Sequence, residues 1–167
     1  DKILIINDDN VAPKHYDSLL LSHYQPNSVL SPNQIEPNPS IFPQFIIRNY
    51  GLTPEEFSLD KFWNDGSNSK FGITNEGSTL PIFMDKMDYL KVGGWDETYP
   101  QGMVADLDFF LKCKLSGMSM LRLYGCEFYH FTSASVKGQM RIQAEQQGHE
   151  YAKYKWGNYL TRNQHNN

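Results

Sequence analysis

The sequence predicts an α/β fold built on a mixed sheet flanked by helices. Three stretches carry that prediction. Ile3-Leu4-Ile5-Ile6 is a short apolar run that breaks at once into Asn7-Asp8-Asp9-Asn10, the pattern of a buried strand ending in a turn. Residues 104–116 place Val104, Leu107, Phe110, Leu111 and Leu115 at helical spacing, and Gly117 closes the helix. Two short β-rich runs, 119–124 and 127–131, follow it.

The remaining elements fall between these. After the carboxylates, residues 14–23 read as a helix with Tyr16, Leu19, Leu20 and His23 along one face, and Pro13 suits its first turn. Val29-Leu30 reads as a short strand. Pro32, Pro37, Pro39 and Pro43 make 31–43 a loop, since proline feeds neither a ladder nor a helix interior. Thr53 followed by Pro54-Glu55-Glu56 has the form of a capped helix start, and Asn64–Ser69 of a flexible turn. Residues 31–69 are therefore expected to form a long irregular excursion, a type of segment that often covers a binding site. Extended chain is expected at 71–73 and 79–84. A short helix over 85–91 is expected to be capped by Asp85 and stopped at Gly93-Gly94. Residues 136–155 read as a mostly polar last helix, and the tail 163–167 as frayed.

With 167 residues, a net charge of -4 and 20% charged residues, the chain is expected to be one globular domain over 1–167. No basic run exists, which argues against a nucleic-acid groove. Cys113 and Cys126 are too few for a disulfide framework or a zinc cluster, so a reducing, cytoplasmic setting is the default. No apolar run is long enough for a membrane span, and the first residues do not form a signal peptide pattern.

Asp8 and Asp9 stand where a strand ends, the place where neighbouring side chains can both meet a ligand. Hard carboxylate oxygens there suit Mg2+ or Mn2+ together with phosphates, and equally suit an Asx turn that caps the next helix. Asp106 and Asp108 lie in the first turn of the 104–116 helix. Two residues apart they face different ways, so one can complement the helix N-terminus while the other reaches a cleft as a base. His130, between aromatics at a strand end, is either a structural imidazole or a metal ligand. Trp63, Trp95 and Trp156 are core filler or stacking platforms for a sugar ring, Trp95 being the best placed for the second role.

The order of these signals is more specific than any one of them. The Asp-bearing strand is followed by Gly77-Ser78-Thr79-Leu80-Pro81-Ile82-Phe83-Met84, then Val92-Gly93-Gly94-Trp95-Asp96-Glu97, then Ala105-Asp106-Leu107-Asp108 opening a helix, Gly117 closing it, and His130. This order, over residues 1–135, resembles the inverting family 2 glycosyltransferases of the GT-A fold. The resemblance implies a truncated GT-A-like mixed sheet that lacks most of the N-terminal nucleotide-binding half, with 136–160 as a C-terminal helix and tail. It implies transfer of a sugar from a nucleoside diphosphate sugar, UDP-sugar favoured, to a glycan or other hydroxyl acceptor, with Mn2+ or Mg2+ as cofactor. Asp9 and His130 would hold the metal, Asp8 and Asn7 the donor, and Asp106 would be the general base. Trp95, Asp96, Glu97 and Asp108 would line the acceptor side. Asn7 and Ala105 depart from the family's first Asp and from its Glu before the base. A sheet without its first strands exposes an edge for a second copy or a partner chain. The competing implication is a non-catalytic remnant that binds carbohydrate or a partner.

Overall fold

The computed structural model describes residues 1–40, 42–65, 71–132 and 139–157. Its centre is a mixed seven-stranded sheet in the order β1-β6-β3-β7-β2, with β4 added to β3 and β5 to β7. The strands are β1 (Lys2–Ile5), β2 (Asn10–Val11), β3 (Ser28–Glu36), β4 (Ile46–Ile47), β5 (Gly72–Thr74), β6 (Ile82–Asp85) and β7 (Ser119–His130). The helices are α1 (Tyr16–His23), α2 (Leu59–Asn64), α3 (Lys86–Lys91), α4 (Ala105–Leu115) and α5 (Gln139–Trp156). β3 and β7 run parallel, while β6 runs antiparallel between β1 and β3. A mixed α/β sheet with flanking helices is therefore what forms.

Strand alternation builds a core on each face. Ile3, Ile5, Val29, Ile82 and Met84 point toward Phe109, Phe110 and Cys113 of α4. Leu4, Leu30, Phe83, Leu121 and Leu123 point toward Leu19 and Leu20 of α1. Asp85 caps α3 by accepting from the Met87 N–H at 2.8 Å, as its sequence predicts. Gly93 and Gly94 then end the helix with positive φ.

Several expectations are corrected. Residues 31–36 are not loop. They continue β3, a nine-residue strand buried along its whole length. Pro32 is tolerated because the pairing with β7 shifts register between Pro32 and Gln34, so the missing N–H falls at an irregularity in the ladder. The irregular excursion thus starts at 37. Residues 53–57 form turns, with the Glu56 N–H on the Thr53 carbonyl and the Phe57 N–H on the Pro54 carbonyl. The Glu56 carboxylate reaches back to the Leu52 N–H, and the Ser58 N–H closes the fold-back on the Tyr50 carbonyl, so the helix begins only at Leu59. The excursion packs as an aromatic cluster of Tyr50, Phe57 and Phe62 around Tyr129 and Phe131. Residues 66–70 of the expected flexible turn lie outside the described residues.

The runs 119–124 and 127–131 are one strand, β7. Gly125 sits inside it with φ of 93°, and the Glu127 carboxylate accepts its N–H at 2.8 Å. α1 starts three residues after Pro13, and β1 ends at Ile5, leaving Ile6 exposed. On α4 the buried line is Ala105, Phe109 and Cys113, whereas Leu107 and Leu115 face outward. The rotation follows from Phe109, whose ring packs between Tyr89 and Trp95. α5 is polar as expected, but Ala144, Gly148 and Ala152 are buried. A Cβ on Gly148 would press on the Met103 carbonyl and Val104, so glycine permits the close approach of α5 to the start of α4. The expected start of that helix at 136 and the tail 163–167 fall outside the described residues. Among the described residues no helix is long and apolar enough to cross a membrane. β1 ends the sheet, its described pairing being with β6 alone.

Candidate functional site

The site is assembled where the parallel strands β3 and β7 end. Register places Ile35 opposite Tyr129, so the next residues, Glu36 and His130, come side by side. The turn after β1 delivers Asp9 from the other side, because β2 pairs Asn10 with His130 and the Phe131 N–H donates to the Asp9 carbonyl. The turn itself is held by Asn10, whose side-chain oxygen accepts the Asn7 N–H at 3.1 Å while its own N–H donates to the Asn7 carbonyl. α1 lacks a side-chain cap, so the alternative role of the Asp pair as a helix cap does not apply.

His130 is gripped at both ring nitrogens. Nδ1 lies 2.8 Å from Glu36 Oε1 and Nε2 lies 3.4 Å from Asp9 Oδ1. Burial disfavours the charged ring, but the hydrogen bonds to Asp9 and Glu36 outweigh it and hold its pKa up at about 9. Without metal the cluster is a carboxylate–imidazolium–carboxylate triad. A raised histidine pKa stabilises the fold fully below 6.5 and the contribution is lost as pH rises through about 9. The unfolding free energy from urea titration in chelator is therefore expected to fall across that window by on the order of 3 kcal/mol. His130→Gln should flatten the profile there, and an equally steep profile in the variant would remove His130 as the group responsible.

A carboxylate oxygen and an imidazole nitrogen facing each other suit Mn2+, and Glu36 on the far ring nitrogen is the carboxylate partner that commonly orients a ligating histidine. No group of three or more such ligands occurs among the described residues, so the protein would offer two and the remainder would come from phosphate and water. Asp9 and His130, which the family resemblance would pair, lie 3.4 Å apart. Glu36 was missed because its strand read as loop. The signal available was a lone acid at the end of an otherwise uncharged run. Asp8 is exposed on the same turn and Asn7 is half-buried.

The other predicted residues gather in a second cluster at the start of α4. Asp106 is half-buried, its Oδ1 accepts the Leu107 N–H at 2.9 Å, and burial holds its carboxyl above the usual range, with His149 of α5 working against that. Ala105, where the family pattern has Glu, is sealed among Tyr99, Val104 and Ala152, so α5 occupies the space a longer side chain would need. Asp108 is buried, and several side chains converge on it. Lys155 approaches at 2.7 Å, Lys112 at 3.2 Å, and Trp156 Nε1 donates at 2.6 Å. Burial alone would raise its pKa, but these partners lower it. Lys155 also binds Asp96 at 2.6 Å, which holds the Asp96 carboxyl far below the usual range. Trp95 stacks on Phe109 with ring centres 5.0 Å apart, and Glu97 is exposed. Asp96 and Asp108 thus meet through one lysine that fastens α5, and Trp156 belongs to the same network. Trp63 lies apart, beside a cavity of about 160 Å³ that Lys14, Tyr50 and Glu127 also line.

Comparison of the chain with known protein families, with characterised proteins and with solved structures finds no match.

Proposed function

We propose that this chain carries the metal and acceptor part of an inverting glycosyltransferase that moves a sugar from a nucleoside diphosphate sugar, UDP-sugar favoured, to an acceptor hydroxyl. The observation that supports it most is the meeting of Asp9 and His130. They lie far apart in the chain, the family resemblance pairs them, and they face each other at 3.4 Å. Glu36 fixes the ring so that Nε2 is the nitrogen turned toward Asp9. Bound there, Mn2+ or Mg2+ would supply charge neutralisation for the diphosphate. Asp106 takes the proton of the acceptor hydroxyl as its oxygen bonds to the anomeric carbon and the bond from that carbon to the diphosphate breaks. A carboxyl with a raised pKa is suited to that task. Glu97, exposed ahead of α4, lies on the side proposed to receive the acceptor.

Titration calorimetry with Mn2+ present is expected to show heat for UDP. Asp9→Asn should weaken it by roughly 10–100-fold or abolish it, the range seen when metal-site partners are altered. Absence of heat for UDP, GDP and their sugars would remove the donor site.

A second reading is favoured by Ala105 and by the commitment of Asp96 and Asp108 to Lys155. On it the chain is a non-catalytic module that binds carbohydrate or a partner along the outer edge of β1. Glycan binding that needs neither metal nor nucleotide would support this reading against transfer.

A further inference from the structure

The cavity beside Trp63, of about 160 Å³, shares no residue with the Asp9–His130 cluster or with the α4–α5 contact. Its floor is apolar and aromatic, made by Leu19 and by the buried Ile35, Tyr50 and Phe62. Its mouth is formed by Trp63 and Lys14, both exposed. The shape comes from α2, which packs Phe62 against Tyr50 with ring centres 5.4 Å apart and leaves the next residue, Trp63, at the surface. Trp63 Nε1 donates to the Ala12 carbonyl at 3.3 Å, which fixes the indole beside the opening.

Two groups of opposite charge line the same cavity. Glu127 is 3% exposed, and its carboxylate accepts the Gly125 N–H at 2.8 Å and feels the charge of Arg48. A carboxylate accepts several hydrogen bonds at once. Lys14 Nζ stands 5.4 Å from the centre of the Trp63 ring and 3.4 Å from Asn64 Oδ1. Such a contact at the surface is weak, so the long lysine side chain can leave the ring and still reach the mouth.

Size and charge select the occupant. The volume lies below the ~300–1,000 Å³ of sites for drug-sized ligands, so it suits one ring rather than a nucleotide. An anion would meet Glu127 and a cation would meet Lys14, each a like-charge contact. A zwitterion would have to shed water from two full charges. Hydroxyl groups donate to a carboxylate and accept from an ammonium without carrying charge themselves. The C–H face of a sugar ring supplies the apolar surface that an indole face takes.

We infer that this cavity binds one neutral pyranose ring, its C–H face on Trp63, one hydroxyl donating to Glu127 and another accepting from Lys14. The site differs from the outer edge of β1 and from the surroundings of Asp106. It stands whether or not the chain transfers sugar.

The test is NMR of the three tryptophan indole N–H groups of the whole chain, titrated in chelator and without nucleotide. The titrants are a panel of neutral methyl hexopyranosides, with choline, acetate and glycine as charged controls. The Trp63 signal, identified by its absence from Trp63→Phe, should move saturably with at least one glycoside while the Trp95 and Trp156 signals stay. The controls should leave it in place. By saturation-transfer NMR, Trp63→Ala should weaken that glycoside by about 3–10-fold, the worth of one ring contact. Glu127→Gln keeps an oxygen for the Gly125 N–H and should weaken it several-fold, since hydrogen bonds to charged groups are the stronger kind. No movement with any glycoside, or movement with a charged control alone, would overturn the inference. So would glycoside binding that Trp63→Ala leaves intact, which would place the sugar elsewhere on the chain. Should Trp63→Ala fail to fold, parent-like affinity in Glu127→Gln overturns it instead. UDP binding with Mn2+ is measured separately, so the loss of either result leaves the other standing.

Discussion

Asp106→Asn is expected to lower sugar transfer by ~10²–10⁴ while leaving the fold intact, the usual worth of a positioned general base. The fold should survive because the hydrogen bond from the Leu107 N–H to Oδ1 is kept by the amide oxygen. Burial already disfavours the charge at this position, so a neutral side chain costs the folded state little. The sign of the pH dependence follows. The base works as the carboxylate, so transfer should fall as pH drops through a pKa lying above the ordinary range for aspartate. Initial rates at saturating donor, taken beside urea midpoints, separate the two effects. An unchanged rate in a folded Asp106→Asn protein would exclude it as the base. Loss of rate with calorimetric UDP binding retained would place the defect in chemistry rather than in the donor site.

Asp108→Ala is expected to be the most destabilising single substitution in the α4–α5 contact, by ~3–5 kcal/mol. The change strands Lys112 and Lys155 without their buried counter-charge and leaves Trp156 Nε1 and the Tyr99 hydroxyl without their acceptor. The lower end of the range is the more fitting, because the lysine side chains keep 15% and 28% of their surface in water and Asp96 still holds Lys155. The partners lower the Asp108 pKa, so its contribution is present above the ordinary aspartate pKa and is lost as pH falls through the lowered one. Urea unfolding measures the cost, and Lys155→Met should reproduce part of it. A loss below ~1 kcal/mol would mean that the network behaves as an exposed ion pair.

These two aspartates show how far spacing reaches. Both stand in the first turn of one helix, and the sequence allows one to cap while the other faces a cleft. Neither role could be assigned to a given residue, because the assignment depends on where α5 lies. Lys155 and Trp156 come from the far end of that helix and turn Asp108 inward. Trp95 was legible as an aromatic beside a tight turn, but its stacking on Phe109 depends on the rotation of α4, which the Leu107 and Leu115 pattern misstates. Pro32 misled for a local reason. A proline argues against a central strand unless the ladder shifts register beside it, and that shift is a property of the partner strand.

The sequence by itself determined the apolar run of β1, the extended run of β6, the helix α3 with its Asp85 cap and glycine stop, and the existence of α4. Each of these follows from local periodicity or from capping chemistry. The tertiary structure alone decided that Ser28–Glu36 is a strand, that Glu36 stands on His130, that Lys155 joins Asp96 to Asp108, and that Arg122 is buried in the sheet. The physical reason is common to all four. Each depends on which strand or helix lies alongside, and the free energy of burying a charge or a broken ladder is set by those distant neighbours rather than by the residues on either side in the chain.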